Sequence, residues 1–225
     1  MIRAVIFDFD GVIANSEPLH FAAFRDVLEQ ECLSFSEREY YGSYLGYDDV
    51  GVFRAVAAER EMQWGAEDVA GLVKRKALRL EALERERSML FPGAAAAIDR
   101  LAAAFPLAIA SGALKSEILR VLDRADLTRH FQAIVAAEDT PASKPSPAPY
   151  LRAMALLSAA VGEPLGGADC VAIEDSQWGL ESARAAGVRT IGITHTYPAR
   201  ALTADFVIAD LDALTLASVR ALSHD

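Results

Sequence analysis

Apolar residues along this chain follow two rhythms. Short apolar runs at Ala4–Phe9, Leu107–Ala110, Ala133–Ala136, Val171–Ile173, Thr190–Ile193 and Phe206–Ile208 alternate with helical patterns. The patterns of helical spacing are Ala94–Ala104, Lys115–Arg124, Ala148–Ala159 and Gln177–Ala186. Runs too short to be helices, separated by segments long enough to be, predict parallel strands covered by helices. Between the first and second runs the rhythm changes. Leu19–Glu31, Val50–Glu61 and Glu67–Arg87 read as helices, the first opened by Ser16-Glu17-Pro18 with proline in its first turn. Phe24, Val27 and Leu28 share one side of the first, and Val69, Leu72, Val73, Leu80 and Leu83 form a stripe on the last. The expected organisation is an α/β core from residues 1–16 and 88–225, with an all-helical block, residues 17–87, inserted after the first strand.

Polar positions refine this picture. In the last inserted helix Lys74-Arg75-Lys76 and then Glu81, Glu84, Arg85, Glu86 and Arg87 alternate in sign. That pattern predicts a solvated face laced by pairs such as Glu81–Arg85, not an anion site. Tyr40, Tyr41, Tyr44, Leu45, Gly46 and Tyr47, followed by Asp48 and Asp49, predict a loop between helices. Its tyrosines either line a pocket or pack at an inter-helix seam.

With 225 residues, 52% of them hydrophobic, the chain can bury a sizeable core. A formal charge of −10 argues against a general nucleic-acid or anionic-membrane surface. It leaves room for a small anionic substrate, because a few cations outweigh it inside a cleft. Cys32 and Cys170 stand far apart without metal-ligand spacing, so neither a disulfide framework nor a zinc site is expected. The first strand begins at once and carries an acid at position 8, unlike a signal peptide, and no charge-free stretch approaches the roughly 20 residues of a membrane span. The expectation is a cytoplasmic monomer acting on a small molecule, with no nucleic-acid or membrane partner.

In a parallel sheet, ligand chemistry gathers beyond the carboxyl ends of the strands. The first run ends in Asp8-Phe9-Asp10-Gly11. Side chains at i and i+2 of an extended chain share a face. The two acids are therefore either solvated at a strand end or held close, in which case a metal cation, a shared proton or both must compensate their repulsion. Other strand or loop ends offer Ser111-Gly112, Lys144 in Ser143-Lys144-Pro145-Ser146-Pro147, and Glu174-Asp175-Ser176. Singly, each is an ordinary surface feature. Together they suit phosphoryl transfer. Acids hold Mg²⁺, a hydroxyl, helix-start amides and a lysine hold phosphoryl oxygens, and a carboxylate can attack phosphorus.

In order and spacing, Asp8-Phe9-Asp10-Gly11-Val12, Ser111-Gly112, Lys144-Pro145 and Glu174-Asp175-Ser176 resemble the four motifs of the haloacid dehalogenase-like hydrolases. The nearest branch contains β-phosphoglucomutase and phosphoglycolate phosphatase, and the likeness runs through the whole chain. It implies a Rossmann-like parallel-sheet core with a helical cap. It also implies Asp8 as nucleophile and Mg²⁺ ligand, and Asp10 as general acid then base, ligating metal through its backbone carbonyl. Ser111, the amide of Gly112 and Lys144 would hold the phosphoryl group. Asp175 would complete the metal site with Glu174, unless Glu174 orients Lys144 instead. The cap would close over the site and exclude water.

Dehalogenases resembling this fold lack an acid two residues after the nucleophile, so Asp10 favours phosphate chemistry. A mutase is the alternative. Asn15, Ser16 and His20 stand where β-phosphoglucomutases carry hinge and cap residues, although a lone helical histidine is by itself most simply a packing residue. The mutases resembling this chain carry Lys and Arg, to grip a second phosphate, where it has Leu45 and Asp49, and usually serine where it has Ala113. An acid where a bisphosphate needs a cation favours a phosphatase, with Arg54 the one nearby residue able to compensate. A phospho-receiver domain has its acids and lysine in another order and no such insert. A non-catalytic binding domain would have no need of the retained chemical groups. The expected activity is Mg²⁺-dependent hydrolysis of a small phosphomonoester, with an uncharged, hydroxyl-bearing leaving group.

Overall fold

A computed structural model of the chain describes residues 1–44 and 47–223. In chain order its strands are β1 (Ala4–Phe7), β2 (Leu107–Ala110), β3 (Phe131–Val135), β4 (Cys170–Glu174), β5 (Arg189–Ile193) and β6 (Phe206–Ile208). The helices are α1 (Glu17–Gln30), α2 (Glu37–Glu39), α3 (Asp49–Glu59), α4 (Ala66–Glu86), α5 (Ala94–Ala102), α6 (Lys115–Arg124), α7 (Ala148–Val161), α8 (Gln177–Ala185) and α9 (Leu216–Ala221). They form two compact units, Met1–Asn15 with Leu90–Asp225, and Ser16–Met89. Among the described residues no helix is long and apolar enough to cross a membrane.

The first unit is built on a parallel sheet in the order β3-β2-β1-β4-β5-β6. From β1 the chain winds outward to β3, then returns to lay β4 on the other side of β1. That reversal opens a crevice at the strands' carboxyl ends. One sheet face, Ala4, Ile6, Ala108, Ala110, Cys170 and Ala172, packs with Tyr150, Ala153, Met154 and Leu157 of α7 and Ala183 of α8. The alternate residues Val5, Phe7, Leu107, Ile109, Val171 and Ile173 are equally buried. With both faces covered, strands read as continuous apolar runs, which is why they stand out in the sequence. Cys170 lies in this core, where burial pushes its thiol up to about 12, whereas Cys32 is exposed.

β1 stops at Phe7, two residues short of the apolar run, and this corrects the reading of the acid pair. The Phe9 carbonyl accepts from the amides of Ile13 and Ala14 at 2.8 and 2.9 Å, and the Gly11 amide donates to the Ala14 carbonyl at 3.0 Å. Residues 9–14 thus form a tight loop instead of an extended strand. Asp8 and Asp10 do not share a strand face: Asp8 is buried and Asp10 exposed.

In the second unit, α1, α3 and α4 enclose an aromatic core of Phe24, Phe35, Tyr40, Tyr44 and Phe53. Phe24 and Phe53 meet edge to face with centroids 5.3 Å apart. Tyr40–Tyr44 wind into a π-helical turn, with Tyr40 and Tyr44 buried and Tyr41 exposed. Tyr40 donates to Glu17 Oε2 (2.5 Å) and Tyr44 to Glu59 Oε2 (2.6 Å), so these two serve the seam. Leu45 and Gly46 of the same stretch lie outside the described residues.

The charged run of α4 is only partly a solvated face. Arg85 pairs with Glu81 as expected, but Lys76 is 1% exposed and Glu84 is buried as well. The Lys76 ammonium donates to Asp49 Oδ1 at 2.6 Å, lies 3.1 Å from His20 Nδ1, and sits 4.5 Å from the centre of the Phe24 ring. A lysine buries its stem readily, but its charge needs a partner. Asp49→Ala strands a buried ammonium, whereas Lys76→Met removes charge and hydrogen bond together and leaves a half-exposed acid. Asp49→Ala is expected to cost more, by ~1–3 kcal/mol, in urea unfolding of the full chain. Equal costs would mean that the pair carries little.

Candidate active site

The chemistry-bearing residues of the sheet unit stand where its strands end. Asp8 follows β1 directly, and its amide donates to the Ile173 carbonyl of neighbouring β4 at 2.9 Å. Ser111 follows β2, is buried, and accepts the Ala113 amide on its hydroxyl at 3.0 Å. Glu174 is the last residue of β4, fully buried, and Asp175 comes next. Asp8, Glu174 and Asp175 each offer a carboxylate oxygen, all within 4.8 Å of one another.

Lys144 ties this group together. Its ammonium lies 2.8 Å from Asp8 Oδ1 and 2.6 Å from Glu174 Oε1. The Tyr150 hydroxyl, from α7, donates to the same Glu174 oxygen at 2.6 Å. Ser176 reaches the other Glu174 oxygen at 3.4 Å. Asp8 Oδ1 also accepts the Phe9 amide at 2.7 Å.

Three carboxylates around one ammonium leave negative charge in excess. Burial, then the charge of Asp8, pushes Asp175 up to about 6, although a hydrogen bond from Thr196 opposes the shift. Burial and Asp8 likewise raise Glu174, against the pull of Lys144 and Tyr150. Burial alone would lower Lys144, but Asp8 and Glu174 outweigh it and hold the ammonium charged. All-oxygen donors short of positive charge fit a hard divalent cation such as Mg²⁺.

Two glycines make room for these acids. Gly11 sits at φ +76°, and a Cβ there would lie 1.9 Å from Asp175 Oδ2, so it is needed both for its conformation and for space. At Gly179 a Cβ would meet the Glu174 carboxylate at 2.0–2.1 Å.

Asp8, Lys144, Glu174 and Asp175 are therefore brought together. Ser111 stands at the end of the strand next to β1, Gly112 is exposed beside it, and Asp10 is exposed in the loop after Asp8. His20 and Arg54 belong to the helical unit, His20 against Lys76 and Arg54 exposed on α3. Tyr150, Thr196 and His195 were not singled out from the sequence. Tyr150 gives no signal, being one apolar-looking position of a helix. His195 and Thr196 had one, because they follow the run that ends at Ile193 and so obey the same strand-end rule.

A family profile described as haloacid dehalogenase-like hydrolase matches residues 5–193. The chain is 32% identical over 223 residues to hexitol phosphatase B of Escherichia coli (strain K12), covering 98% of this chain and 95% of that protein. It is 27% identical over 225 residues to the β-phosphoglucomutase of Bacillus subtilis (strain 168), covering 96% and 92%. The crystal structure of CbbY from Rhodobacter sphaeroides in complex with phosphate superposes with a TM-score of 0.72 at 26% identity, over 96% of this chain and 98% of that one.

Proposed function

The chain belongs to the haloacid dehalogenase-like hydrolase family, and we propose that it is a Mg²⁺-dependent phosphatase of a small sugar or polyol phosphate, working through an aspartyl-phosphate on Asp8. The observation that carries this reading is the buried cluster in which Lys144 bridges Asp8 and Glu174 beside Asp175.

Two donors, the Phe9 amide and Lys144, hold Asp8 Oδ1 and fix the carboxylate plane, which makes Oδ2 the oxygen to attack. As the Asp8–phosphorus bond forms, the ester P–O bond breaks, and the leaving oxygen takes a proton from Asp10. Asp10, now a carboxylate, removes a proton from water, which attacks the same phosphorus and releases phosphate from Asp8. Ser111, the Gly112 amide and Lys144 hold the phosphoryl oxygens. Asp8, Asp175 and the Asp10 carbonyl would hold the Mg²⁺, which supplies neutralisation of the phosphoryl charge. Glu174 is assigned to orienting Lys144, because its Oε1 is already engaged by that lysine and by Tyr150.

Asp49 favours hydrolysis over a mutase reaction. It is an acid where the mutases resembling this chain carry a cation to grip a second phosphate, and within the helical unit it pairs with the buried Lys76. The likeness to a hexitol phosphatase supports a hydroxyl-rich leaving group.

The test is a panel of hexose and hexitol phosphates, phosphoglycolate and nucleotides, with free phosphate and isomerised sugar phosphate both followed. Phosphate release that stops on adding chelator is expected. Interconversion of β-glucose 1-phosphate and glucose 6-phosphate with little free phosphate would overturn hydrolysis as the function.

A further inference from the structure

The loop after β5 carries a histidine that the reaction scheme above does not use. His195 Nδ1 lies 2.9 Å from the Gly11 carbonyl, and its ring stacks on Phe91 with centroids 3.9 Å apart and planes inclined by 18°. The base of this loop is anchored to β6: the Thr194 amide donates to the Ile208 carbonyl at 3.1 Å and its hydroxyl to Ala209 at 3.3 Å. The next residue, Thr196, hydrogen-bonds the Asp175 carboxylate.

What His195 touches gives it meaning. Gly11 belongs to the tight loop that carries Asp10, at a positive φ and beyond the end of β1 at Phe7. Phe91 lies on the returning chain, where its amide donates to the Ile13 carbonyl at 2.9 Å and Leu90 bridges Ala14. One ring thus grips both segments at which the sheet unit is interrupted by the helical insert. A carbonyl only accepts, so Nδ1 carries the proton. Burial lowers the histidine's pKa, against the hydrogen bond to Gly11 and the charge of Asp210, and the carbonyl partner fixes the tautomer.

We propose that His195 is a positioning residue that holds the Gly11 carbonyl and the Phe91 ring together, fixing the loop that presents Asp10 beside Asp8. Its effect on turnover rests on the phosphatase reading; its effect on the loop does not.

The two are separated by measuring hydrogen–deuterium exchange and steady-state kinetics on the full chain with His195→Ala, His195→Phe and His195→Asn. Phenylalanine keeps the stacking and loses the donor. Asparagine restores a donor close to the Nδ1 position. His195→Ala is expected to raise exchange in residues 9–16 and 88–94 by about ten-fold, and His195→Phe in residues 9–16 alone, while β4 exchanges as before. Both should lower kcat for phosphate release by about 10- to 100-fold with KM little changed. His195→Asn should recover most of the loss in kcat and the protection of residues 9–16, but not that of residues 88–94, which depends on the ring. Unchanged exchange in His195→Ala, an asparagine variant no better than the phenylalanine one in kcat and in residues 9–16, or a rise spread equally over β4 would each overturn the proposal. Wild-type protein that releases no phosphate, with the exchange pattern as expected, would sink the phosphatase reading and leave the clasp standing.

Discussion

Replacing Asp8 with Asn is expected to abolish turnover while leaving the fold intact or slightly more stable. The amide oxygen of asparagine can keep both contacts that Asp8 Oδ1 makes, with the Phe9 amide at 2.7 Å and Lys144 at 2.8 Å. The group placed in the Oδ2 position becomes an NH₂, which has no lone pair to offer phosphorus at neutral pH. Loss of a nucleophile that acts as one unit with its acid and cation costs on the order of 10⁴-fold or more in kcat. The same change removes the charge that helps raise both Glu174 and Asp175. In chelator, Asp8→Asn should therefore unfold at slightly higher urea than the wild type, by ~1 kcal/mol. Phosphate release and urea unfolding measured side by side distinguish this from misfolding. Undiminished turnover in Asp8→Asn would sink the aspartyl-phosphate mechanism.

How far the sequence carries depends on whether a signal is local. The parallel strands were legible because burial on both faces makes them apolar without interruption, as at Leu107–Ala110, where expectation and observed bounds coincide. The end of β1 was not, because Phe9 is apolar yet lies in a loop whose closure depends on the positive φ of Gly11 and on amides further along the chain. That error placed Asp8 and Asp10 on one face, when one is buried and the other exposed.

Partners distant in sequence decided the remaining differences. Lys76 sits in a run of alternating charge, and nothing in that run reveals an acid on another helix waiting for it. Tyr150 acquires its polar role only from Glu174, on a strand that follows its own helix. The strand-end rule, by contrast, is local, and it collected Asp8, Ser111, Glu174 and Asp175 correctly as neighbours in the sheet. Applied once more, to the end of β5, it reaches His195 and Thr196. Residues whose side chains sit at strand ends are therefore readable from sequence, even when buried and paired as Glu174 is, whereas a buried charge in mid-helix such as Lys76, whose partner lies on another helix, is not.

Lys144→Met is expected to damage stability and catalysis together, in a way that depends on pH and on Mg²⁺. The ammonium touches both Asp8 and Glu174, and Glu174 has no exposed surface. Without it Glu174 keeps the Tyr150 hydroxyl and Asp8 keeps the Phe9 amide, but the carboxylates face one another uncompensated. Breaking a buried pair from one side costs ~3–5 kcal/mol. The sign with pH follows from the acids left behind. Asp175 already sits at about 6 against 3.8 for the free side chain. A carboxyl whose folded value is raised contributes stability that is full below the unfolded value and is lost as pH rises through the folded one. In the wild type without metal that window runs from about 4 to 6, and removing Lys144 moves its upper edge higher. The variant should therefore lose most relative to wild type near pH 8 and least near pH 5 in urea unfolding with chelator. Adding Mg²⁺ should return part of the loss at pH 8, because a cation bound only by the folded state stabilises it by mass action. Loss of a cation that holds the phosphoryl group should lower kcat by about 10²- to 10³-fold even with Mg²⁺ present. The double variant Asp8→Asn with Lys144→Met should be more stable than Lys144→Met alone, since it removes one of the charges the lysine had balanced. A stability loss that is the same at pH 5 and pH 8, and indifferent to both Asp8→Asn and Mg²⁺, would show that Lys144 acts through packing and not through its charge.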